Sequence, residues 1–180
     1  MTVTAEKINL KGQESSGDFE QIFKEYWSRI YEVAFRLVGD QDEAQDLALE
    51  TFWRFHRNPP AKRDNLSGWL YRVAVNLGFN ALRDKKRRYS YENQAGTNEI
   101  EQRSIPQPEQ EVILAEERQA VRGVLIEMKP RSAKLLVLRY SGLTYAEIAG
   151  ALNINPSSVG KLLARAHDEF KVLYSQIQGG

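Results

Sequence analysis

Two asparagines, three arginines and a tryptophan recur in one stretch of this chain at the spacing of a single helix face. Projected at about 100° per residue, Trp69, Arg72, Asn76, Asn80, Arg83 and Arg87 form a narrow stripe. A carboxamide carries donors and an acceptor and can read a base edge. An indole can stack on an unpaired base, and guanidinium groups hold the phosphate backbone. The stripe therefore suits a melted or melting strand. A blander arrangement uses the same residues: Trp69 goes to the core, and Arg83-Asp84-Lys85-Lys86-Arg87-Arg88 becomes a solvated helix end favoured by the helix dipole.

A second constellation lies between Thr144 and Arg165. Thr144 and Glu147 have the spacing of a capping box that opens a short helix through Leu152, and Asn155 before Pro156 has the chemistry to start another. Ala149 is small where the two helices cross. Ile148, Leu152, Ile154, Val159 and Leu162 or Leu163 fill the inside, the pattern of a helix-turn-helix whose second helix enters a major groove. Thr144, Tyr145, Pro156, Ser157, Ser158, Lys161 and Arg165 are left on the DNA side, where they can combine base and phosphate contacts. The alternative is a helical hairpin that merely packs.

A third group, Asp42, Asp46 and Glu50, shares an arc with Leu49 and Trp53. A purely solvated face has no need of two large apolar residues, so this one suits a basic, partly apolar protein partner, unless Leu49 and Trp53 pack on another helix. Calcium fits poorly, because Thr51 stands where a bidentate glutamate belongs and no glycine makes the sharp turn.

Other chemistry is largely excluded. The chain has no cysteine and only two histidines, His56 and His167, with no nucleophile motif or Gly-rich phosphate loop. No metal, cofactor or enzymatic activity is expected. No apolar run approaches a membrane span, and the polar stretch Met1–Gly17 lacks the core of a secretory signal, which points to the cytoplasm. The net charge of +1 hides a strong alternation: the balance is −4 over residues 1–60, +6 over 61–90, −5 over 91–120 and +4 over 121–180. Two separate positive blocks suit a polyanion at two places, since local potential, rather than total charge, attracts phosphates.

The elements that must position these groups are all helical. Phe19 to Leu37 repeats apolar residues at three and four after Asp18, which can cap, and Gly39 ends the run. Asp40 and Glu43 form a capping-box pattern for a second helix that Asn58-Pro59-Pro60 stops. Ser67 can cap a third, from Gly68 to about Arg88, whose core stripe is Leu70, Val73, Ala74, Leu77 and Ala81. Tyr89 to Pro108 has little periodicity and reads as a flexible linker. Helices from Glu109 to about Met128, Pro130 to Tyr140, Thr144 to Leu152 and Pro156 to about Tyr174 follow, with Gly142 as a breaker. An all-α chain of two small helical domains is expected: a tail over 1–17, domains over 18–88 and 109–180, and a linker over 89–108.

Read in order, several stretches together resemble the bacterial extracytoplasmic-function sigma factors, over about Phe19 to Leu173. They are Phe35-Arg36-Leu37-Val38-Gly39-Asp40, Asp42-Glu43-Ala44-Gln45-Asp46-Leu47 with Glu50-Thr51-Phe52, Gly68-Trp69-Leu70-Tyr71-Arg72-Val73-Ala74-Val75-Asn76, Leu138-Arg139-Tyr140, and Gly142-Leu143-Thr144-Tyr145-Ala146-Glu147-Ile148-Ala149. The resemblance implies that the chain binds core RNA polymerase and directs it to promoters, region 2 melting and reading the −10 element and region 4 reading the −35 element. It also implies that Asp46 and Glu50 dock on the β′ clamp helices and that region 4 meets the β flap. It puts Asn76 and Asn80 among the −10 readers, and Asn65 and Leu66 in a loop that pockets a flipped base. An anti-sigma factor is the expected antagonist. Gly160-Lys161-Leu162 and His167 depart from the family's usual basic recognition helix, which implies weaker or differently specified −35 binding. Two other classes fit part of the pattern: a helix-turn-helix regulator that needs no polymerase, and an adaptor that sequesters another protein.

Overall fold

The computed structural model describes residues 3–61, 63–95 and 109–178, and side chains over 18–61, 63–91 and 113–177. Seven helices and no strand occur among the described residues. Helix α1, Val3–Val38, ends where Gly39 takes φ +78 and donates its N–H to the Phe35 carbonyl at 2.8 Å, a left-handed stop that glycine makes at no steric cost. The expectation that Asp18 caps this helix is corrected. The helix runs through Asp18, whose carboxylate accepts from the Arg63 guanidinium, and no proline upstream forces a start there.

Helix α2, Gln41–Arg57, is capped by Asp40, which accepts from the Glu43 N–H at 2.8 Å. Helix α3, Leu66–Ala95, differs from expectation at both ends. Asn65, not Ser67, caps it: Asn65 Oδ1 accepts from the Gly68 N–H at 3.1 Å, while the Ser67 hydroxyl donates to Glu147 at 3.5 Å. The helix also continues through Tyr89–Ala95, the first part of the expected linker, because the first breaker in the sequence is Gly96. The rest of that linker, 96–108, lies outside the described residues.

Helices α4, Glu109–Glu127, and α5, Pro130–Tyr140, follow, and Gly142 at φ +87 breaks the chain as expected. Helix α6, Tyr145–Leu152, opens with the full capping box: Thr144 accepts from the Glu147 N–H and Glu147 accepts from the Thr144 N–H at 2.8 Å. Asn153 at φ 53 turns the chain into α7, Pro156–Gln178, which runs four residues past Tyr174 because no breaker precedes Gly179.

Helices α1 to α3 form a bundle around Ile30, Val33, Leu37, Phe52, Phe55, Leu70 and Phe79. Helices α4 to α7 surround Val124, Leu135, Leu138, Leu143, Ile148 and Val159. These two cores are continuous. The join explains why the buried side of α3 is wider than its single projected stripe. Leu70 and Ala74 are buried as expected, but so are Tyr71, Val75, Phe79 and Leu82, while Val73, Leu77 and Ala81 are half-buried. One-face projection assumes one neighbour, and α3 has α1 and α2 on one flank and α5 and α6 on another.

Helix α3 packs tightly on α1 at Gly78, where a β-carbon would lie 2.5 Å from Leu37 Cδ1 and 3.1 Å from Leu37 Cβ. Overpacking a filled site costs about 1–3 kcal/mol. Gly78→Val is therefore expected to lower stability by about 2 kcal/mol, read as a lower urea midpoint at unchanged slope; an unchanged midpoint would show that α1 and α3 can separate freely.

Candidate nucleic-acid and partner surfaces

Helix α3 carries its polar stripe along one edge of the bundle. Asn80, Arg83 and Arg87 are exposed, and Arg72 and Asn76 are half-buried. Arg87 pairs with Asp84 at 2.6 Å, and the Arg83 guanidinium lies 5.9 Å from the Phe79 ring centroid, so both cations are held close to the helix. Trp69 stands between the two readings of it. It is half-buried and its ring meets Phe55 at 6.0 Å, at an interplanar angle of 60°. Leu66 and Asn65, at the mouth of the preceding loop, are also half-buried.

The stripe is not open along its whole length. Helix α5 brings Lys134 onto it, where the ammonium donates to Asn76 Oδ1 at 2.6 Å. Burial and the nearby positive charge of Arg83 both push the Lys134 pKa down. Helix α6 brings Gly150 against the Asn65 carboxamide, so a β-carbon at Gly150 would displace the end of that side chain. Lys134 was not singled out in the sequence. Its signal is a lone lysine between Ala133 and Leu135-Leu136-Val137-Leu138, all of them buried.

Beyond this edge, α6 and α7 cross as a helix-turn-helix. Ile148, Ala149, Val159, Leu163 and Ala166 fill the crossing, and Leu163 rather than Leu162 is the deeper of the pair. Thr144, Tyr145, Pro156, Ser157, Lys161 and Arg165 are exposed and Ser158 is half-buried. Two of these hydroxyls are already bonded. Thr144 donates to Glu147 and Ser157 donates to the Asn155 carboxamide oxygen, both at 2.8 Å. Gly160 faces Tyr145, and a β-carbon there would sit 3.6 Å from the ring, an ordinary contact. Internal packing does not require a glycine at this position.

The outer face of α2 is as odd in three dimensions as in sequence. Leu49 is 46% and Trp53 54% exposed, so neither packs into the core. Asp42 and Asp46 are exposed beside them, and Glu50 is half-buried and paired with Arg54 at 2.7 Å. Arg57 lies over the Trp53 ring at 5.8 Å. A separate cleft of about 860 Å³ opens between α1, α4, α5 and α7, lined by Phe35, Leu114, Arg118, Val121, Arg122 and Phe170 among others. No group of metal-ligating side chains occurs among the described residues, and no helix among them is long and apolar enough to cross a membrane.

Residues 22–88 match the sigma-70 region 2 family, and residues 118–167 match the sigma-70, region 4 family. The extracytoplasmic-function RNA polymerase sigma factor SigW of Bacillus subtilis is 30% identical over 175 residues, covering 92% of this chain and 90% of SigW. The RNA polymerase sigma factor YlaC of the same organism is 28% identical over 155 residues, covering 84% and 89%. In fold, the chain is similar to the sigma factor RpoE of Bartonella quintana, solved in complex with the anti-sigma factor NepR, at a TM-score of 0.53 and 17% identity over 88% of this chain and 97% of that one.

Glu147 ties the helix-turn-helix to α3. Burial raises its pKa, but hydrogen bonds from the Thr144 N–H and hydroxyl and from Ser67 outweigh that and hold the carboxyl below its ordinary 4.5. A carboxyl with a depressed folded pKa stabilises the fold above its unfolded pKa and loses that contribution as pH falls through the folded value. Glu147→Gln is expected to lower stability at pH 7 and to flatten the loss of stability below about pH 4.5, read by thermal unfolding across pH 2 to 7. An acid profile identical to that of the unaltered chain would show that this carboxylate is not so held.

Proposed function

Because the chain belongs to the extracytoplasmic-function sigma factors and directs promoter-specific transcription initiation, we propose an assignment of its surfaces to the steps of that task. The first domain, 18–88, takes the polymerase and the −10 element. The second, 109–180, takes the −35 element. Helix α2 docks on the β′ clamp helices of core RNA polymerase through Asp42, Asp46, Leu49, Glu50 and Trp53, and the second domain meets the β flap. The observation that carries this assignment is the exposure of Leu49 and Trp53 within an acidic face, on the same rigid bundle that presents Asn80, Arg83 and Arg87. An exposed apolar pair of this size is stable in water only at a cost that a partner removes.

Melting follows from the chemistry of the other face. Asn76 and Asn80 have the carboxamides to read base edges, Arg72, Arg83 and Arg87 hold phosphates, and Trp69 offers its exposed edge to an unpaired base. Asn65 and Leu66 frame the site for a base turned out of the stack. Extrusion costs a few kcal/mol, so a site that fits only the right base makes reading and opening one event. Residues −35-ward are Thr144, Tyr145, Pro156, Ser157, Ser158, Lys161 and Arg165, with Lys161 and Arg165 the two cations that reach phosphates. The chain supplies binding energy and no reacting group, acting in the cytoplasm as a non-catalytic subunit. An anti-sigma factor is proposed as its antagonist, and the largely apolar cleft with its two arginines is a surface such a protein can use.

Asn80→Ala is expected to leave binding to core polymerase unchanged and to lower the yield of open complex about tenfold, measured by run-off transcription on fragmented genomic DNA. Loss of polymerase binding instead would make α3 a structural element only. Lys161→Ala is expected to reduce the salt slope of duplex binding by about 1, the share of a single phosphate contact; an unchanged slope would remove Lys161 from the interface.

A further inference from the structure

We infer that Gly160 of α7 and Tyr145 of α6 form an apolar slot for the 5-methyl group of a thymine in duplex DNA, which makes Gly160 a specificity-determining position. That the ligand is DNA rests on the functional reading above; the slot itself does not. A glycine inside a helix lowers stability relative to alanine, so each one calls for a cause. Among the described residues, positive φ accounts for Gly39 and Gly142, and Gly160 does not share it. Close packing accounts for Gly68, Gly78 and Gly150, where a β-carbon would lie 2.4 Å from Asn65, 2.5 Å from Leu37 and 1.9 Å from Asn65 respectively. At Gly160 neither cause holds, because a β-carbon there would meet only Tyr145 Cε2, at 3.6 Å. Gly123 of α4 is open too, but nothing lies within 4 Å to wall a site there.

The space left at Gly160 is the size of a methyl group, and its wall is an aromatic edge. Tyr145 is held from within the fold: the Arg139 guanidinium lies 5.4 Å from its ring centroid and donates to the Leu143 carbonyl at 3.2 Å. The ring is still 46% exposed. The space also lies on the face of α7 assigned to DNA. Ser157 one turn before it and Ala164 one turn after it are short and exposed, with Lys161 and Arg165, also exposed, beside them. A base edge can therefore approach the α7 backbone at this point while the two cations reach phosphates. What enters must be apolar. A phosphate oxygen or base carbonyl placed there would lose its bond to water and gain none, because the backbone groups of a helix interior are already bonded and the nearest ring atom is a carbon. The thymine 5-methyl is the apolar group that a base pair presents in the major groove.

The test uses the full chain with core polymerase on promoter fragments found by run-off transcription. Each thymine of the −35 element is replaced in turn by deoxyuridine, which lacks only the methyl, and affinity is read by competition. At one position the unaltered chain is expected to lose about fourfold in affinity, the share of one buried methyl group. Gly160→Ala fills the slot with its own methyl. It is expected to melt a few degrees higher, to bind the thymine duplex more weakly, and to lose the discrimination between thymine and deoxyuridine at that position. Equal affinity for the two at every position, or a −35 element without thymine, would overturn the inference, as would undiminished discrimination by Gly160→Ala. A lower melting temperature for Gly160→Ala would make the glycine a packing requirement and overturn it as well. Absence of polymerase binding and of discrete start sites with the unaltered chain would instead defeat the functional reading, and DNA as the ligand with it; the melting temperature would still report whether the fold needs the glycine.

Discussion

A carboxamide that is half-buried on a helix must have its hydrogen bonds made whether or not DNA is present, because an unpaired buried polar group costs about 1–3 kcal/mol. Helix α3 carries two such groups, Asn76 and the Asn65 cap at its start, and the rest of the molecule is arranged around that requirement. In the free chain both are met within the protein, by Lys134 and by the Gly68 N–H. No buried side-chain nitrogen or oxygen among the described residues lacks a partner. A base edge can take the place of Lys134. The surface proposed to recognise DNA is thus one whose polar groups already need partners, and α5 supplies one of them here.

The same economy governs the apolar surface. Helix α3 is pressed onto α1 at Gly78 and onto α6 at Gly150, so two glycines set how near its neighbours come on its two flanks. Against α1 the contact belongs to a bundle with fully buried Leu37, Phe52 and Phe79, which has no reason to open. Against α6 it is an edge contact made by half-buried residues, Asn65, Leu66 and Trp69, with like charges beside it. The closely packed flank carries the face of α2 proposed for the polymerase, and the edge flank carries the proposed reading residues.

Much of this was legible in the residues. Caps and breakers marked most helix ends, because Asp40, Thr144, Gly39 and Gly142 act on their immediate neighbours. The exposed apolar pair Leu49 and Trp53 was legible for a related reason: it lies opposite the buried stripe of its own helix. What the sequence did not reveal depends on neighbours distant in the chain. Asp18 reads as a cap until Arg63 is placed beside it, Tyr89–Ala95 reads as linker because its polar residues have no periodicity, and Lys134 reads as a stray charge until Asn76 is opposite. The roles of Ser157, Lys161 and Arg165 toward duplex DNA stay tied to the family resemblance and the exposure of those residues.

The most direct measurement is the distance between the two domains in the free chain and in the complex with core polymerase and promoter DNA, read by single-molecule energy transfer between dyes on cysteines introduced at the exposed Asp84 of α3 and Asp168 of α7. One high-transfer population is expected in the free chain, replaced by a low-transfer population when polymerase and DNA are both bound. A free chain that already shows low transfer, or a transfer efficiency unchanged in the open complex, would contradict it.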